Sequence, residues 1–533
     1  MFNIDGQPFF SVGGQVHNSS GYSADTMSVA WKALEAIHAN TAEVPVYWNQ
    51  IEPVQGRFDF SPVAAVLEGA RQRGLRLILL WFGTWKNGQM KYAPQWVKGD
   101  PQRFTRVHSR EGIVLPCLSS HCAANLEADK SAFSALMAYL SEADSAQSTV
   151  IAVQIENEPG ILGSDRDYGP DGEAEFRASV PGVLNEWLQR QENGSAALAR
   201  SWTQVNCTGS ETWSDLFGPY SGEYLTAWSI ARYIDEIAAA GKVIRDVPFY
   251  VNVWLDWRGW RIPGVDYPSG GATTRTLDIY RQFGPHLACI APDNYVADAR
   301  RHIEVYDTYS RSDNPLFVPE SGHSPTTALQ MFTAVADYGA VGFHLFGVES
   351  VLDADGEVKE ESGMIVGSFR CLSAVAPLLA RISDREGVRA VVQEEFSDEV
   401  LLSFTVYDAL ITFVDTPGNL HTSFRFGGMF SGDSVVNSER GRGLVIETGP
   451  DEFYIVGGGF RIFFNSKEHP SVMLSGPRTF SLSTRLIDYM TLEEGYFTKE
   501  GDWVAVSIRN GDESDHGIWV HPDAGVVRVL LAP

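Results

Sequence analysis

Cysteine is scarce. Five residues, Cys117, Cys122, Cys207, Cys289 and Cys371, are scattered through 533 positions, an odd number at low density. That excludes a disulfide-stapled scaffold and predicts reduced thiols, hence a cytoplasmic setting. The stretch Met1–Phe10 has no basic region, apolar core or cleavage site, so no signal peptide is expected. Long apolar runs are missing as well; none approaches the ~18 residues of a membrane span. Positive charge is in deficit: 41 Lys and Arg stand against 67 Asp and Glu, a formal net charge of −26. A chain this acidic is poorly suited to wrapping nucleic acid or lying on an anionic membrane. Its balance fits a soluble enzyme with a neutral substrate. There is no internal repeat, no low-complexity tract and no Gly-rich phosphate loop, since Gly13-Gly14 alone does not make one.

What is present is apolar and aromatic. At 44% apolar and 20% charged, the chain is neither disordered nor fibrous. Of fourteen Trp, twelve lie before residue 261. Aromatic faces fill cores, and they also stack on the C–H faces of sugars.

Between residues 9 and 346 short apolar runs alternate with amphipathic stretches. The runs are Phe9–Gly14, Thr41–Tyr47, Leu75–Trp81, Val150–Ile155, Pro248–Trp254, Leu287–Ala291, Leu316–Pro319 and Ala340–Phe346. They are continuous rather than alternating, as expected of strands buried on both faces. The spacing of Met27, Ala30, Leu34 and Ile37 is helical, as are Phe133–Leu140, Tyr224–Ala239 and Ala328–Tyr338. Eight strand–helix units predict a (β/α)8 TIM barrel over 1–365, with a doubly wound sheet as the competing arrangement. After a last helical stretch, Ile365–Ala380, short β runs separated by Gly, Asp, Asn and Pro predict a smaller all-β sandwich over 366–533. They include Ser423–Phe426 and Thr479–Leu482, and the Gly-rich stretch Gly427–Gly443 reads as a long loop or an insertion.

Barrel enzymes place their active sites at the C-terminal strand ends. The fourth run continues Gln154-Ile-Glu156-Asn157-Glu158-Pro159-Gly160, three polar side chains that are costly to bury without a purpose. The seventh ends in Pro319-Glu320-Ser321-Gly322. Strands four and seven face each other across a barrel mouth. Two carboxyls there, one protonated and one ionised, are what glycoside cleavage needs.

Asn157-Glu158-Pro159 with Glu320 resembles clan A of the glycoside hydrolases. The segment Asn40-Thr-Ala-Glu-Val-Pro-Val-Tyr47-Trp48-Asn49-Gln-Ile-Glu52-Pro53-Val-Gln-Gly56-Arg-Phe58-Asp59-Phe60 resembles the strand-two block of the family 35 and family 42 β-galactosidases. Gln154-Ile-Glu-Asn-Glu158 is similar to the family 35 pattern, though Pro159-Gly160 stands where Tyr-Gly is usual. The C-terminal part resembles, in texture and placement, the β-sandwich of a bacterial subgroup. The resemblance implies Glu158 as general acid/base, Glu320 as nucleophile of a retaining double displacement, and Asn157 as the partner of the sugar 2-hydroxyl. It also implies that Tyr295, after strand six, touches and orients Glu320.

Other strand ends offer sugar contacts: Gln15 and His17; Tyr47, Trp48 and Asn49; Trp81 and Trp85; Asn252, Trp254, Asp256 and Trp257; Asp293 and Asn294; His344, Phe346 and Glu349. Trp85, Trp254 and Trp257 are the candidate stacking platforms. Cys117-x-x-x-His121-Cys122 has no standard zinc spacing, so no metal is expected, and acid/base chemistry needs no cofactor. Glu111 and Asp129 read as a solvated face. The leading expectation is an exo-acting β-galactosidase on a glycoside substrate, with neither nucleic acid nor membrane as partner and with homo-oligomerisation open. The alternatives are the same chemistry on a β-glucoside, β-xyloside, α-L-arabinopyranoside or β-galactofuranoside, an endo-glycanase, and a non-catalytic glycan-binding protein.

Overall fold

The computed structural model describes the chain apart from residues 146–147, 191–209, 257–260, 383–384, 396, 398, 414–439, 469–486, 511–516, 522–524 and 533. The expected runs Ser423–Phe426 and Thr479–Leu482, nearly all of the Gly-rich stretch, Cys207 and Trp257 lie outside the described residues.

The N-terminal part is a (β/α)8 barrel. Its strands are β1 (Ser11–Gln15), β2 (Thr41–Tyr47), β3 (Arg76–Lys86), β4 (Val150–Asn157), β5 (Phe249–Trp254), β6 (Cys289–Asn294), β7 (Glu320–Ser321) and β8 (Gly342–Phe346). Each is followed by a helix: α1 (Met27–Ala36), α2 (Ser61–Arg73), α3 (Ala123–Ala143), α4 (Ser221–Ile244), α5 (Leu277–Phe283), α6 (Ala299–Tyr309), α7 (Pro325–Ala336) and α8 (Gly363–Arg381). The strands pair in parallel in chain order, β8 returns to β1, and a Val318–Phe343 bridge closes the ring. Strand seven is short because Pro319 has no N–H to give the ladder. The expected run Leu316–Pro319 therefore leads into the strand, and the strand proper begins at the carboxylate.

Strands two to four are buried almost throughout, which is why their sequences do not alternate. Helix α2 ends at Gly74, whose φ of +66° is a left-handed cap. Side chains cap α6 (Asp298 accepting from Arg301 N) and α7 (Ser324 accepting from Thr327 N). A hairpin, Phe2–Ile4 with Gln7–Phe9, plugs the barrel floor; Ile4 shares a buried cluster with Ile78, Leu80, Tyr250 and Phe317.

Among the described residues, the C-terminal part is a sandwich of one six-stranded and one four-stranded antiparallel sheet. Period two sets its packing. In the strand Glu452–Gly458, Phe453 and Ile455 point into the sandwich core, while Tyr454 and Val456 join the barrel's cluster. Helix α8 lies between the two parts. Within the segment Glu360–Arg381 an 18-residue window reaches a mean hydropathy of 1.6, the length and composition of a membrane span. Its apolarity is explained by packing on both sides: Ile365, Phe369 and Leu372 belong to the shared core, and the buried Arg442 of the sandwich bonds Ser368 Oγ and Met364 O.

Candidate active site

The site is built on the strained end of β4. Glu156 and Glu158 hold φ of +62° and +45°, values that non-glycine residues rarely adopt and that cost of order 1–3 kcal/mol each. The two turns send successive carboxyls in different directions. Glu156 turns away from the mouth and accepts from the backbone N–H of Trp85 at 2.6 Å and Thr84 at 3.2 Å. Asn157 and Glu158 are left at the mouth. The chain then turns at Gly160, where an added Cβ would stand 2.6 Å from Pro268 Cβ.

Glu320 opens β7 in register with Asp293 of β6. Its Oε1 accepts from Gln15 Nε2 at 2.9 Å, Asn157 Nδ2 at 3.2 Å and Asn252 Nδ2 at 3.3 Å. Its Oε2 accepts from Tyr295 Oη at 2.6 Å. Four donors converging on one buried carboxyl is an arrangement for an anion. Tyr295 keeps its phenolic proton, its pKa pushed well up by burial and by the charge of Glu320. Its ring stays 45% exposed, facing the mouth.

Glu158 is held differently. Its backbone N–H donates to Asn252 Oδ1 at 2.8 Å. Burial, and next the negative charge of Glu320, push its carboxyl up to about 7, against the opposing pull of Lys86, the neighbouring Asp293 carboxyl and Lys91. Asp293 is held well above the usual carboxyl range by burial and by Glu320 and Glu158. Oxygens of Glu158, Asp293 and Glu320 lie within 4.8 Å of one another. This is the one acidic trio among the described residues close enough to chelate a cation. With Glu158 and Asp293 held toward their protonated forms and Lys86 beside them, the set suits proton transfer better than cation binding.

The structure thus brings together Glu158, Glu320, Asn157, Asn252, Asp293, Tyr295 and Gln15. At the rim stand Trp254, half-buried beside Asp293, and His17, whose Nε2 meets Ser350 Oγ at 2.9 Å. Other candidates are elsewhere. Trp48 is 0% exposed and donates to Glu52 Oε2 at 2.8 Å. Trp85 is 1% exposed and packs edge-on against Tyr233. Both are core residues with no open face, so neither the sugar contact expected of Trp48 nor the stacking expected of Trp85 has a surface to form on. His344 lies inside the barrel between Glu43 Oε1 (2.6 Å) and Ser11 Oγ (2.8 Å), and burial pushes it down to about 3, a neutral imidazole. Tyr47 is buried too, stacked at 4.1 Å on the more open ring of Tyr22. Asp256 braces a loop by accepting from Thr274 N and Oγ1.

Asp129 is not on a solvated face. It is buried, and accepts from Trp81 Nε1, Thr84 N and Thr84 Oγ1. Cys117, His121 and Cys122 do not converge: His121 Nδ1 meets Glu175 at 2.8 Å, while Cys117 Sγ points to Gly160 O.

One member of the site was missed by sequence reasoning. Lys86, 5% exposed at the end of β3, donates to Asn157 Oδ1 at 2.7 Å. That bond fixes the amide so that Asn157 Nδ2 faces Glu320. The signal was its position, directly after a long apolar run.

Residues 21–224 match a family model described as beta-galactosidase, glycoside hydrolase family 42, and residues 365–521 match a domain of unknown function. A "Beta-galactosidase" of Xanthomonas manihotis is 31% identical over 186 residues, 33% of this chain and 28% of that protein. "Beta-galactosidase-1-like protein 3" of Homo sapiens is 30% identical over 178 residues, 32% of this chain and 24% of that protein. The chain thus spans less than a third of the length of these curated relatives. Among solved structures, the beta-galactosidase from Bacillus circulans sp. alkalophilus aligns with a TM-score of 0.50 at 15% identity, covering 71% of this chain and 58% of that one. That likeness shows the barrel fold. The sequence matches show that this chain resembles the β-galactosidases of clan A.

Proposed function

We propose that this chain is a retaining, exo-acting β-glycosidase, and that its substrate is a terminal β-galactoside. The observation that carries the reading is the Glu158–Glu320 pair: one carboxyl pushed up to about 7, the other held by four donors, with oxygens of both within 4.8 Å. Retaining enzymes keep the two carboxyls ~5–5.5 Å apart, while inverting enzymes leave ~6.5–9.5 Å for a water.

In the first step Glu320 attacks the anomeric carbon. The bond to the leaving oxygen breaks as that oxygen takes the Glu158 proton, giving a covalent glycosyl-enzyme. In the second step Glu158, now a carboxylate, accepts a proton from water. The water oxygen attacks the anomeric carbon and Glu320 departs. Asn157 is assigned to the sugar 2-hydroxyl, with Lys86 fixing its amide. Tyr295 steadies the nucleophile. Among the described residues, Tyr22, Trp254 and Tyr295 offer partly open aromatic surfaces for stacking. Exo action is supported by the segment after Glu158, which pairs with the 262–270 loop (Ile161 N to Ser269 O 2.9 Å, Gly163 N to Gly264 O 2.7 Å) and walls one side of the mouth. The galactoside reading rests on the family match and the two relatives.

The test is hydrolysis of a panel of α- and β-nitrophenyl glycosides, pyranose and furanose, by the wild type and by Glu320→Ala. Turnover of the β-galactoside, abolished in the variant, supports the reading. A preference for another sugar overturns the specificity alone. A Glu320→Ala protein with undiminished turnover removes the nucleophile.

A further inference from the structure

The proposed reaction uses two carboxyls, and the site holds three. Asp293 Oδ2 accepts from Asn252 Nδ2 at 2.8 Å. Asp293 Oδ1 is buried and has no partner among the described residues, while a carboxyl oxygen of Glu158 lies within 4.8 Å of the Asp293 carboxyl. Two carboxylates have only acceptors to offer each other, so a hydrogen bond between them requires a proton on one. Asn252 already uses one oxygen of Asp293 as an acceptor. The proton of Asp293 therefore belongs on its other oxygen, on the side of Glu158.

We infer that Asp293 is a positioning residue that keeps its proton through the cycle and hydrogen-bonds it to the Glu158 carboxylate whenever Glu158 has given up its own. The inference rests on the glycosidase reading and deepens it. When the glycosidic bond breaks, the Glu158 proton leaves with the aglycone and a bare carboxylate remains in a buried site. Among the described residues the Asp293 O–H is placed to meet it there, beside the charge of Lys86. Water then returns a proton to Glu158 as its oxygen bonds to the anomeric carbon, and the Asp293 proton has not moved. Glu158 is kept at a basicity at which it can be both acid and base near neutrality.

The groups around Asp293 agree with this. Burial is the largest influence, the charges of Glu320 on β7 and Glu158 on β4 act with it against a charge there, and Lys86 on β3 favours one. Tyr250 of β5, Tyr295 after β6 and Tyr309 of α6 face it as phenols held neutral by burial. Lys91 acts on Glu158 rather than on Asp293.

The experiment compares the wild type with Asp293→Asn and Asp293→Leu. The pH dependence of kcat/KM is read together with the protonated-carboxyl infrared band about two pH units above neutrality, where Glu158 is ionised. Asn supplies the same acceptor to Asn252 and the same donor to Glu158, so the alkaline limb stays in place. Leu supplies neither; Glu158 loses a donor to its charged form and the limb moves up by about one pH unit, the size of one hydrogen bond to an ionised group. In the infrared, Asp293→Asn removes one protonated carboxyl. If Asp293 is ionised instead, both variants delete an anion, the limb moves down in both, and no protonated band is lost. Those results overturn the inference, as does a limb that stays put in both variants. A wild type that turns over no glycoside counts against the proposed function. The infrared band then decides the protonation of Asp293 by itself, and should the Leu variant not fold, the Asn band still does.

Discussion

Glu320→Gln should lower the pKa of Glu158. The variant keeps the shape of the site: the Gln carbonyl can accept from Gln15, Asn157 and Asn252, and its amide can donate to the Tyr295 oxygen. What disappears is one negative charge within 4.8 Å of the Glu158 carboxyl. Two unit charges at that separation, at an effective dielectric of ~20, repel by about 3.5 kcal/mol, equal to about 2.5 pH units. Burial is the larger cause of the rise to about 7 and Glu320 the second, so the charge supplies the smaller share of that rise. The expected fall is therefore about one to two pH units. The sign follows from the charge: removing an anion stabilises a neighbouring carboxylate, so the proton leaves at lower pH. The assay is a carbon-13 NMR titration of glutamate-labelled protein, with the Glu158 signal assigned by its loss in Glu158→Gln. A midpoint that stays near its wild-type value would mean that Glu320 carries no charge in the resting protein. The division of roles between the carboxyls would then be wrong.

Three further outcomes are expected. Tyr295→Phe removes the 2.6 Å bond to Glu320 Oε2 and nothing else from the ring, so kcat/KM should fall roughly 10- to 100-fold, the worth of a hydrogen bond to a charged group, while the melting temperature barely moves; an unchanged rate refutes the positioning role. Trp48→Phe deletes the bond to Glu52 and some core volume, so denaturant unfolding should show a loss of about 1–3 kcal/mol with KM unaltered, and a raised KM would put Trp48 back in the sugar site. Glu156 and Asp129 are a buried pair whose folded pKa values are raised by burial, most strongly in Glu156, so their contribution to stability is present below the unfolded carboxyl range and is lost as pH rises through the folded values. Glu156→Gln should accordingly flatten the fall of melting temperature with rising pH, and parallel curves for variant and wild type would show that the pair is not what titrates.

Much of this site was legible in the chain, for identifiable reasons. Glu158 and Asn157 stood out because polar residues ending an apolar run must be stabilised by something in the fold. Glu320 followed from its place at the end of the seventh run, and Tyr295 from the resemblance to clan A. The tryptophans were not separable by sequence: Trp48, Trp85 and Trp254 all lie in or just after a strand, and only the packing of Trp96 and Tyr233 shows which faces are closed. Lys86 was passed over because a lysine just after an apolar run reads as solvated, whereas here Asn157 and two acids hold it buried. Asp129 misled in the opposite sense: it sits on an amphipathic helix whose inward face is usually apolar, but Trp81 and Thr84 supply it with donors. The shortness of β7 was hidden because an apolar run and a strand are different things when the run ends in proline.

The most direct test of the central claim is the configuration of the first-formed sugar. Hydrolysis of a nitrophenyl β-galactoside is followed by proton NMR from the first turnovers, before mutarotation mixes the anomers. Two displacements, through Glu320 and then water activated by Glu158, predict the β-anomer first. An α-anomer appearing first would mean a single displacement by water, and Glu320 would lose its place as the nucleophile.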